Sequence, residues 1–193
     1  MRELILASTS PYRRRMLVDA GIAVRTESPG IDERSVSGTD PVELARELAR
    51  RKAQAVAARH PGEWIIGADQ VGHDPDRPGE PFGKPADPED HIRRLREMVG
   101  RRHELVTGFA IIGPGVEVVG HETTVMHVRA DLDDDELRAY VATGEGAGCA
   151  GGYAVEGRGV FLFERIDGDW FNVIGLPLLR VMDVLRSHGW RAL

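Results

Sequence analysis

Strand-like and helix-like patterns alternate along most of this chain, and that alternation constrains its fold more than any other feature. Short apolar runs at residues 4–7 and 64–68 predict buried strands. Between them, Asp40 and Pro41 form a helix start, and apolar side chains then recur at helical spacing through about residue 59. Strands that alternate with helices are typical of an α/β fold.

Helix caps and turn residues predict further elements. Ser10 can cap a helix that begins at Pro11 and ends near Gly21, because proline at the first helical position loses no hydrogen bond. A glycine–proline–glycine turn at residues 113–115 separates two extended segments and predicts a hairpin. Similar signals predict helices that start near Asp87, Asp133 and Pro177, and strands at residues 22–26, 160–163 and 170–173.

The length and charge of the chain limit its class. Its 193 residues predict one large domain over residues 1–193 or two closely packed lobes. A formal charge of −6 argues against a nucleic-acid polymer as partner, because phosphate backbones bind cationic surfaces. The single cysteine, Cys149, excludes an intramolecular disulfide, and the sequence lacks the run of about 18 apolar residues that a membrane helix needs. We therefore expect a soluble, cytoplasmic protein with no membrane partner.

A glycine-rich segment spans residues 144–159, where seven of sixteen residues are glycine. It predicts a loop whose backbone approaches something closely. Residues 146–151 match a dinucleotide-binding pattern, but a helix pattern precedes them and a strand pattern follows, which reverses the required order. We therefore reject a dinucleotide site, and we interpret Cys149 as a buried or solvent-facing residue rather than a nucleophile.

The segment after the first strand combines hydroxyl groups with arginines. Ser8, Thr9, Ser10 and Pro11 lead into a helix that opens with three arginines at 13–15. Hydroxyls, free backbone N–H groups, a helix dipole and guanidinium groups then converge on one point, as in an anion site. The alternative is a plain helix cap with solvated arginines, and this segment alone leaves both interpretations open.

Carboxylates occur in two other places where ligands often bind. Asp32 and Glu33 lie in the loop after the second strand, and Asp69 and Gln70 follow the apolar strand at 64–68. Two carboxylates beside a phosphate-binding corner suit Mg²⁺, which keeps several of its waters and binds substrate phosphates.

Two lysines add positive charge to this set. Lys52 interrupts the apolar stripe of the long helix, and Lys84 lies in a Gly-Lys-Pro turn. Taken singly, each is ordinary as a surface or snorkelling lysine. Combined with the carboxylates, they indicate a cleft that hydrolyses nucleotides.

Seven short segments, spread in order over nearly the whole chain, carry a family pattern. They are residues 4–14, 52–53, 66–71, 83–85, 103–108, 150–153 and 173–178. Together they resemble the Maf family of nucleoside triphosphate pyrophosphatases. The resemblance implies an elongated α/β fold of the Maf/ITPase-like type, with a central mixed sheet flanked by helices and a cleft between two lobes. It also implies hydrolysis of a nucleoside triphosphate to the monophosphate and diphosphate, a divalent cation, Mg²⁺ or Mn²⁺, as cofactor, and a homodimer.

The resemblance assigns roles to individual residues. Asp69 matches the catalytic acid, acting as general base or as organiser of metal and water, and Glu33 joins it as a metal ligand. The phosphate-binding candidates, from the family pattern and from the corner after the first strand, are Ser8, Ser10, Arg13, Arg14, Lys52 and Lys84. The division suits the chemistry, since attack on the α-phosphorus needs an activated water and departing diphosphate needs cations.

Three further positions match those that decide the base in this family. They are Tyr12, Gln70 and Glu156, which resemble the branch acting on 7-methyl-GTP, whereas the dTTP/UTP branch has Arg, Thr and Gln there. Methylated guanine is cationic, so stacking on Tyr12 would gain at most about 2 kcal/mol. Glu156 could accept its N–H donors. We therefore predict a 7-methyl-GTP pyrophosphatase that removes modified nucleotides.

Other interpretations stay open. The first is a dTTP/UTP pyrophosphatase of the same family. The second is a non-catalytic nucleotide-binding regulator of septum formation, against which the presence of Asp69 and Glu33 argues. The third is a globular α/β domain whose charged loops are only surface.

Overall fold

The computed structural model describes residues 3–33, 36, 40–77 and 81–191. The strands are β1 (Leu4–Ala7), β2 (Val24–Thr26), β3 (Trp64–His73), β4 (Arg102–Gly113), β5 (Val116–Val128) and β6 (Phe163–Asp167). The helices are α1 (Pro11–Asp19), α2 (Pro41–Ala57), α3 (Pro88–Met98), α4 (Asp134–Ala142), α5 (Trp170–Val173) and α6 (Leu178–Ser187), with a 3-10 helix at Arg158–Leu162. The strands form one sheet in the order β2-β1-β3-β4-β5-β6, in which β1 runs parallel to β2 and β3 and the other pairs are antiparallel.

Both faces of the sheet are buried at β1. Leu4 and Leu6 pack with residues of α1 and α6, while Ile5 and Ala7 pack with residues of α2 on the opposite face. This alternation follows from the two-residue period of a strand. A mixed sheet with helices on both faces confirms the predicted α/β fold class. Within the described ranges, no helix is long and apolar enough to cross a membrane.

The strand predicted at residues 64–68 is longer than the sequence indicated. It continues to His73, so Asp69 and Gln70 lie within β3 and not at its end. The reason is its antiparallel partner, since the pairing of β3 with β4 runs on to His73 opposite Glu104. Only the parallel neighbour stops earlier, where Ala7 of β1 pairs with Gly67. Asp69 and Gln70 therefore extend past the end of β1, beside an open corner.

Two strands predicted near the carboxyl end are wrong. Residues 160–163 belong mostly to the 3-10 helix, and the strand β6 begins only at Phe163. Residues 170–173 form the short helix α5, because the side chain of Asp169 accepts a hydrogen bond from the N–H of Phe171 at 2.8 Å and caps it. The aromatic and β-branched residues of this segment favour a strand, but the cap and the burial of Asn172 decide otherwise.

Glycines let α2 lie directly on the sheet. A Cβ at Gly67 would overlap the backbone of Ala49 and Ala53, and a Cβ at Gly108 would overlap the carbonyl of Ala45. Any larger residue would push α2 away from β3 and β4. The two glycines therefore determine how closely α2 packs on the sheet, and with it the distance of Lys52 on α2 from the sheet.

We predict that Gly108→Ala lowers the free energy of unfolding by about 1–3 kcal/mol, because the added methyl group overpacks the contact with α2. Urea denaturation monitored by circular dichroism measures the loss. Gly148→Ala is the matched control, since a Cβ there meets open space and the residue has no positive φ. Equal denaturation midpoints for Gly108→Ala and the parent would contradict the close packing of α2.

Candidate functional site

A cleft of about 550 Å³ opens where β1 ends and β3 continues. Its lining comes from the β1–α1 corner, the loop at residues 28–33, α2 and β3, Lys84, Leu105 of β4, the glycine-rich segment and residues 173–175. The predicted site residues that line it are Ser8, Ser10, Tyr12, Arg13, Glu33, Lys52, Asp69, Gln70, Lys84 and Glu156. Residues far apart in sequence thus meet at one cleft.

The β1–α1 corner supplies hydroxyl groups and a guanidinium. The Ser8 hydroxyl oxygen accepts hydrogen bonds from the backbone N–H of Ser10 at 3.1 Å and from Nη1 of Arg13 at 3.3 Å. Ser10 caps α1 by accepting from the backbone N–H of Arg13 at 3.4 Å. The Nε of Arg13 donates to the carbonyl oxygen of Gly175 at 2.6 Å. This fixed guanidinium has further N–H donors with which to bind an anion in the cleft.

The electrostatic surroundings of Arg13 are mixed. Burial lowers the pKa of Arg13, and the negative charges of Asp69 and Glu33 oppose that shift. Because a guanidinium stays protonated in proteins, Arg13 keeps its positive charge. The corner therefore offers a poorly hydrated cation, which binds phosphate more strongly than one in bulk water.

Lys52, Asp69 and Glu33 form a contact that we call the Lys52 cluster. The Lys52 Nζ lies 2.5 Å from Asp69 Oδ1 and 2.8 Å from Glu33 Oε1. The side chains of Lys52 and Asp69 are only 7% and 13% exposed, whereas that of Glu33 is 55% exposed. A lysine ammonium this deeply buried needs a paired charge, and Asp69 supplies it.

The two carboxylates of the Lys52 cluster fit a divalent cation. Both line the cleft and both contact the same ammonium group, which places their oxygens on one side of the site. No group of three or more candidate metal ligands occurs within the part of the chain that the structure describes. Mg²⁺ can be held by one or two carboxylates together with substrate phosphates, so a pair is sufficient.

Tyr12, Cys149 and Glu156 lie at another part of the cleft. All three side chains line it. The charge of Cys149 and hydrogen bonding to it, followed by burial and the charge of Glu156, raise the pKa of Tyr12. Burial raises the pKa of Cys149, so its thiol is neutral near pH 7. Cys149 is a cleft residue that the sequence reasoning missed, although the close approach predicted for the glycine-rich segment pointed towards it.

Buried polar contacts hold the glycine-rich segment against β4 and α4. Nε2 of His103 lies 2.6 Å from the hydroxyl of Tyr153, and the backbone N–H of Ala154 donates to the hydroxyl of Tyr140 at 3.0 Å. Burial lowers the pKa of His103 to about 4, so the ring is neutral near pH 7. These contacts position the loop that carries Glu156 into the cleft.

Gln70 is held by two residues that the sequence did not indicate. Its Nε2 donates to the carbonyl oxygen of Asn172 at 2.7 Å and to the hydroxyl of Thr107 at 3.1 Å. Thr107 and Asn172 are both fully buried. Thr107 lies directly opposite Gln70 in the pairing of β3 with β4, a relation that only the strand register reveals.

One predicted phosphate ligand lies elsewhere. Arg14 is exposed on α1 and is not among the residues that line the cleft. Successive residues of a helix differ in direction by about 100°, so the orientation that brings Arg13 into the cleft turns its neighbour away. The roles of the remaining candidates stay predictions, now with a common location.

Comparisons with known proteins identify the family of the chain. The family described as Maf-like protein matches residues 3–188. The chain is 40% identical to the dTTP/UTP pyrophosphatase of Symbiobacterium thermophilum over 98% of this chain and 96% of that protein, and 42% identical to that of Thermus thermophilus over 97% and 96%. The solved structure of the Staphylococcus aureus Ham1 protein aligns with 67% of this chain and 73% of its own, with 20% identity and a TM-score of 0.48.

These relatives bear on two of the predictions. Their names support the dTTP/UTP alternative better than 7-methyl-GTP, which neither name mentions. They confirm the prediction of an enzyme, a nucleotide pyrophosphatase that releases diphosphate. With its family pattern matched from residue 3 to residue 188 and its relatives aligned almost end to end, the chain belongs to the Maf family.

Proposed function

We propose that this chain hydrolyses a nucleoside triphosphate to the monophosphate and diphosphate in the cleft described above. The observation that carries the proposal is the Lys52 cluster, because it sets a mostly buried carboxylate, Asp69, beside a buried cation at the edge of a phosphate-binding corner. A carboxylate can activate water, and cations can stabilise the charge that develops on phosphate oxygens.

Asp69 is the proposed base. Its Oδ1 is bonded to Lys52, which fixes the carboxylate and leaves the other oxygen to accept a proton from water. The water oxygen forms a bond to the α-phosphorus, the bond from that phosphorus to the bridging oxygen breaks, and diphosphate departs. Proton transfer to a positioned carboxylate accelerates such steps by about 10²–10⁴-fold.

The cations of the cleft serve the phosphates. Hydrogen bonds to Gly175 and Ser8 fix Arg13, which has further N–H donors at the β1–α1 corner. Lys84 lines the cleft as an exposed cation. A divalent cation held by Asp69 and Glu33 would add charge neutralisation on the phosphate oxygens. Within this arrangement, Lys52 keeps the two carboxylates in place.

We further propose dTTP and UTP as the leading substrates, because the relatives with 40% and 42% identity are named for them. 7-Methyl-GTP is the second candidate. It is favoured by the aromatic ring of Tyr12 and the carboxylate of Glu156, which both line the cleft where the Maf pattern of the dTTP/UTP branch has Arg and Gln. Either base would lie at the part of the cleft formed by Tyr12, Gln70 and Glu156.

We predict that Asp69→Asn lowers kcat for diphosphate release by about 10²–10⁴-fold and changes nucleotide affinity much less, because the amide cannot accept the proton. A coupled diphosphate assay with Mg²⁺ or Mn²⁺ measures the loss. Asp19→Asn is the matched control, since Asp19 is an exposed residue that pairs with Arg15 and does not line the cleft. Unchanged turnover in Asp69→Asn would remove this residue from the mechanism, and a parent protein that binds nucleotide without releasing diphosphate would favour a regulator.

We predict that kcat/KM for UTP and dTTP exceeds that for 7-methyl-GTP, and that Glu156→Gln lowers activity on 7-methyl-GTP more than on UTP. The carboxylate attracts a cationic base, and an amide does so less. Steady-state rates of diphosphate release for the three nucleotides, in parent and variant, test both statements. A higher kcat/KM for 7-methyl-GTP in the parent would overturn the pyrimidine preference and return the assignment to the second candidate.

A further inference from the structure

We propose that Thr107 and the backbone carbonyl of Asn172 are positioning elements that fix the polarity of the Gln70 amide, so that the cleft selects bases carrying a ring N–H. This inference rests on the proposed function and adds to it the chemical class of the base. Uracil, thymine and guanine carry such an N–H next to a carbonyl group. Adenine and cytosine present an unprotonated ring nitrogen at the corresponding position.

The side-chain amide of Gln70 can adopt only one orientation. A backbone carbonyl can only accept a hydrogen bond, so the group of Gln70 that lies 2.7 Å from the Asn172 oxygen must be the NH₂ group. The reversed amide would bring two oxygens together in a buried place. The orientation of the amide therefore follows from the chemistry of its neighbours.

The NH₂ group of Gln70 is fully engaged by the protein. Nε2 of Gln70 donates to the Asn172 carbonyl at 2.7 Å and to the Thr107 hydroxyl at 3.1 Å, with the Val173 carbonyl as a longer contact at 3.5 Å, so both protons of the NH₂ group are used. Gln70 therefore has no donor left for a ligand. Its Oε1 is the only polar atom of the side chain that can contact a base, and it can only accept.

Hydrogen bonds to β4 and β5 hold Asn172 in place. Nδ2 of Asn172 donates to the carbonyl of Leu105 and to the hydroxyl of Thr124, each at 3.0 Å, and these bonds join α5 to β4 and β5. Thr124 in turn donates to the carbonyl of Asp169 at 3.2 Å. Since the network ends on backbone carbonyls, none of its members can reverse without leaving two acceptors facing each other.

Glu156 adds a second acceptor to the cleft. It lines the same cleft as Gln70, and its carboxylate only accepts hydrogen bonds when ionised. A ring nitrogen with a lone pair would face acceptors there, whereas an N–H would be bonded. These acceptors thus favour bases that carry a ring N–H. dTTP, UTP and 7-methyl-GTP all have this group, although the first two are pyrimidine nucleotides and the third is a purine nucleotide.

Paired methylated nucleotides test the inference. 3-Methyl-UTP lacks the ring N–H, and 5-methyl-UTP carries the same added methyl group elsewhere. In the purine pair, 1,7-dimethyl-GTP lacks the ring N–H that 7-methyl-GTP keeps, and both bases are cationic. We expect kcat/KM to be about 10- to 100-fold lower for the nucleotide without the N–H, in whichever pair contains substrates, because an unpaired acceptor remains. Equal kcat/KM within every hydrolysed pair would overturn the proposal.

Variants of Thr107 test its positioning role. Thr107→Val removes the hydroxyl acceptor at nearly constant volume, and we expect it to reduce the discrimination between 5-methyl-UTP and 3-methyl-UTP several-fold, while Thr107→Ser restores it. A purely structural role would lower both rates together and leave their ratio unchanged. An unchanged ratio in a folded Thr107→Val variant would therefore remove Thr107 from the proposal.

The proposed function and this inference can fail separately. If UTP, dTTP and 7-methyl-GTP all yield no diphosphate, the proposed function fails. Isothermal titration with the same methylated pairs then measures their affinities without turnover. A dissociation constant at least about 10-fold weaker for the nucleotides without the ring N–H supports the inference, and equal constants or no binding contradict it.

Discussion

The buried ammonium of Lys52 is the interaction on which the rest of the site depends. A charge held between a helix and a sheet is costly unless an opposite charge lies against it, and removal of one partner from such a pair typically costs about 3–5 kcal/mol. Asp69 meets this need from β3, and Glu33 adds a more exposed second contact. The same pairing that makes Lys52 tolerable in the core fixes the carboxylate that we assign to water activation.

This placement depends on the sheet as much as on the charges. Gly67 and Gly108 let α2 approach the strands closely enough for Lys52 to reach Asp69. The early end of β1 leaves the continuing part of β3 beside an open corner, where Ser8 and Arg13 form a site suited to phosphate. Backbone packing and site chemistry are therefore linked, because the residues that permit close packing also position the charged groups.

Much of this was accessible from the sequence. The cap at Ser10, the helix that starts at Pro41 and the hairpin around residues 113–115 follow from local rules, and the structure has all three. The candidates for phosphate binding and for the catalytic carboxylates could be identified because polar residues interrupt apolar patterns, as Lys52 does in α2. Local signals of this kind identify candidate site residues, and the fold then brings them to one cleft.

Other features depend on contacts that local rules do not contain. The length of β3 is set by its pairing with β4, and the helix at residues 170–173 is set by the cap from Asp169 against the strand preference of its neighbours. Thr107 looks like an ordinary strand residue until the register places it opposite Gln70. Arg14 shows the converse error, since the direction of a side chain around α1 depends on how that helix packs.

The most direct test of the central claim is a crystal structure of the protein with a non-hydrolysable triphosphate analogue and Mg²⁺. We predict that the phosphates lie between Arg13, Lys84 and the Lys52 cluster, with the α-phosphorus nearest Asp69 and the base at Gln70. A nucleotide bound on another face, or one whose phosphates lie away from Asp69 and Lys52, would contradict it.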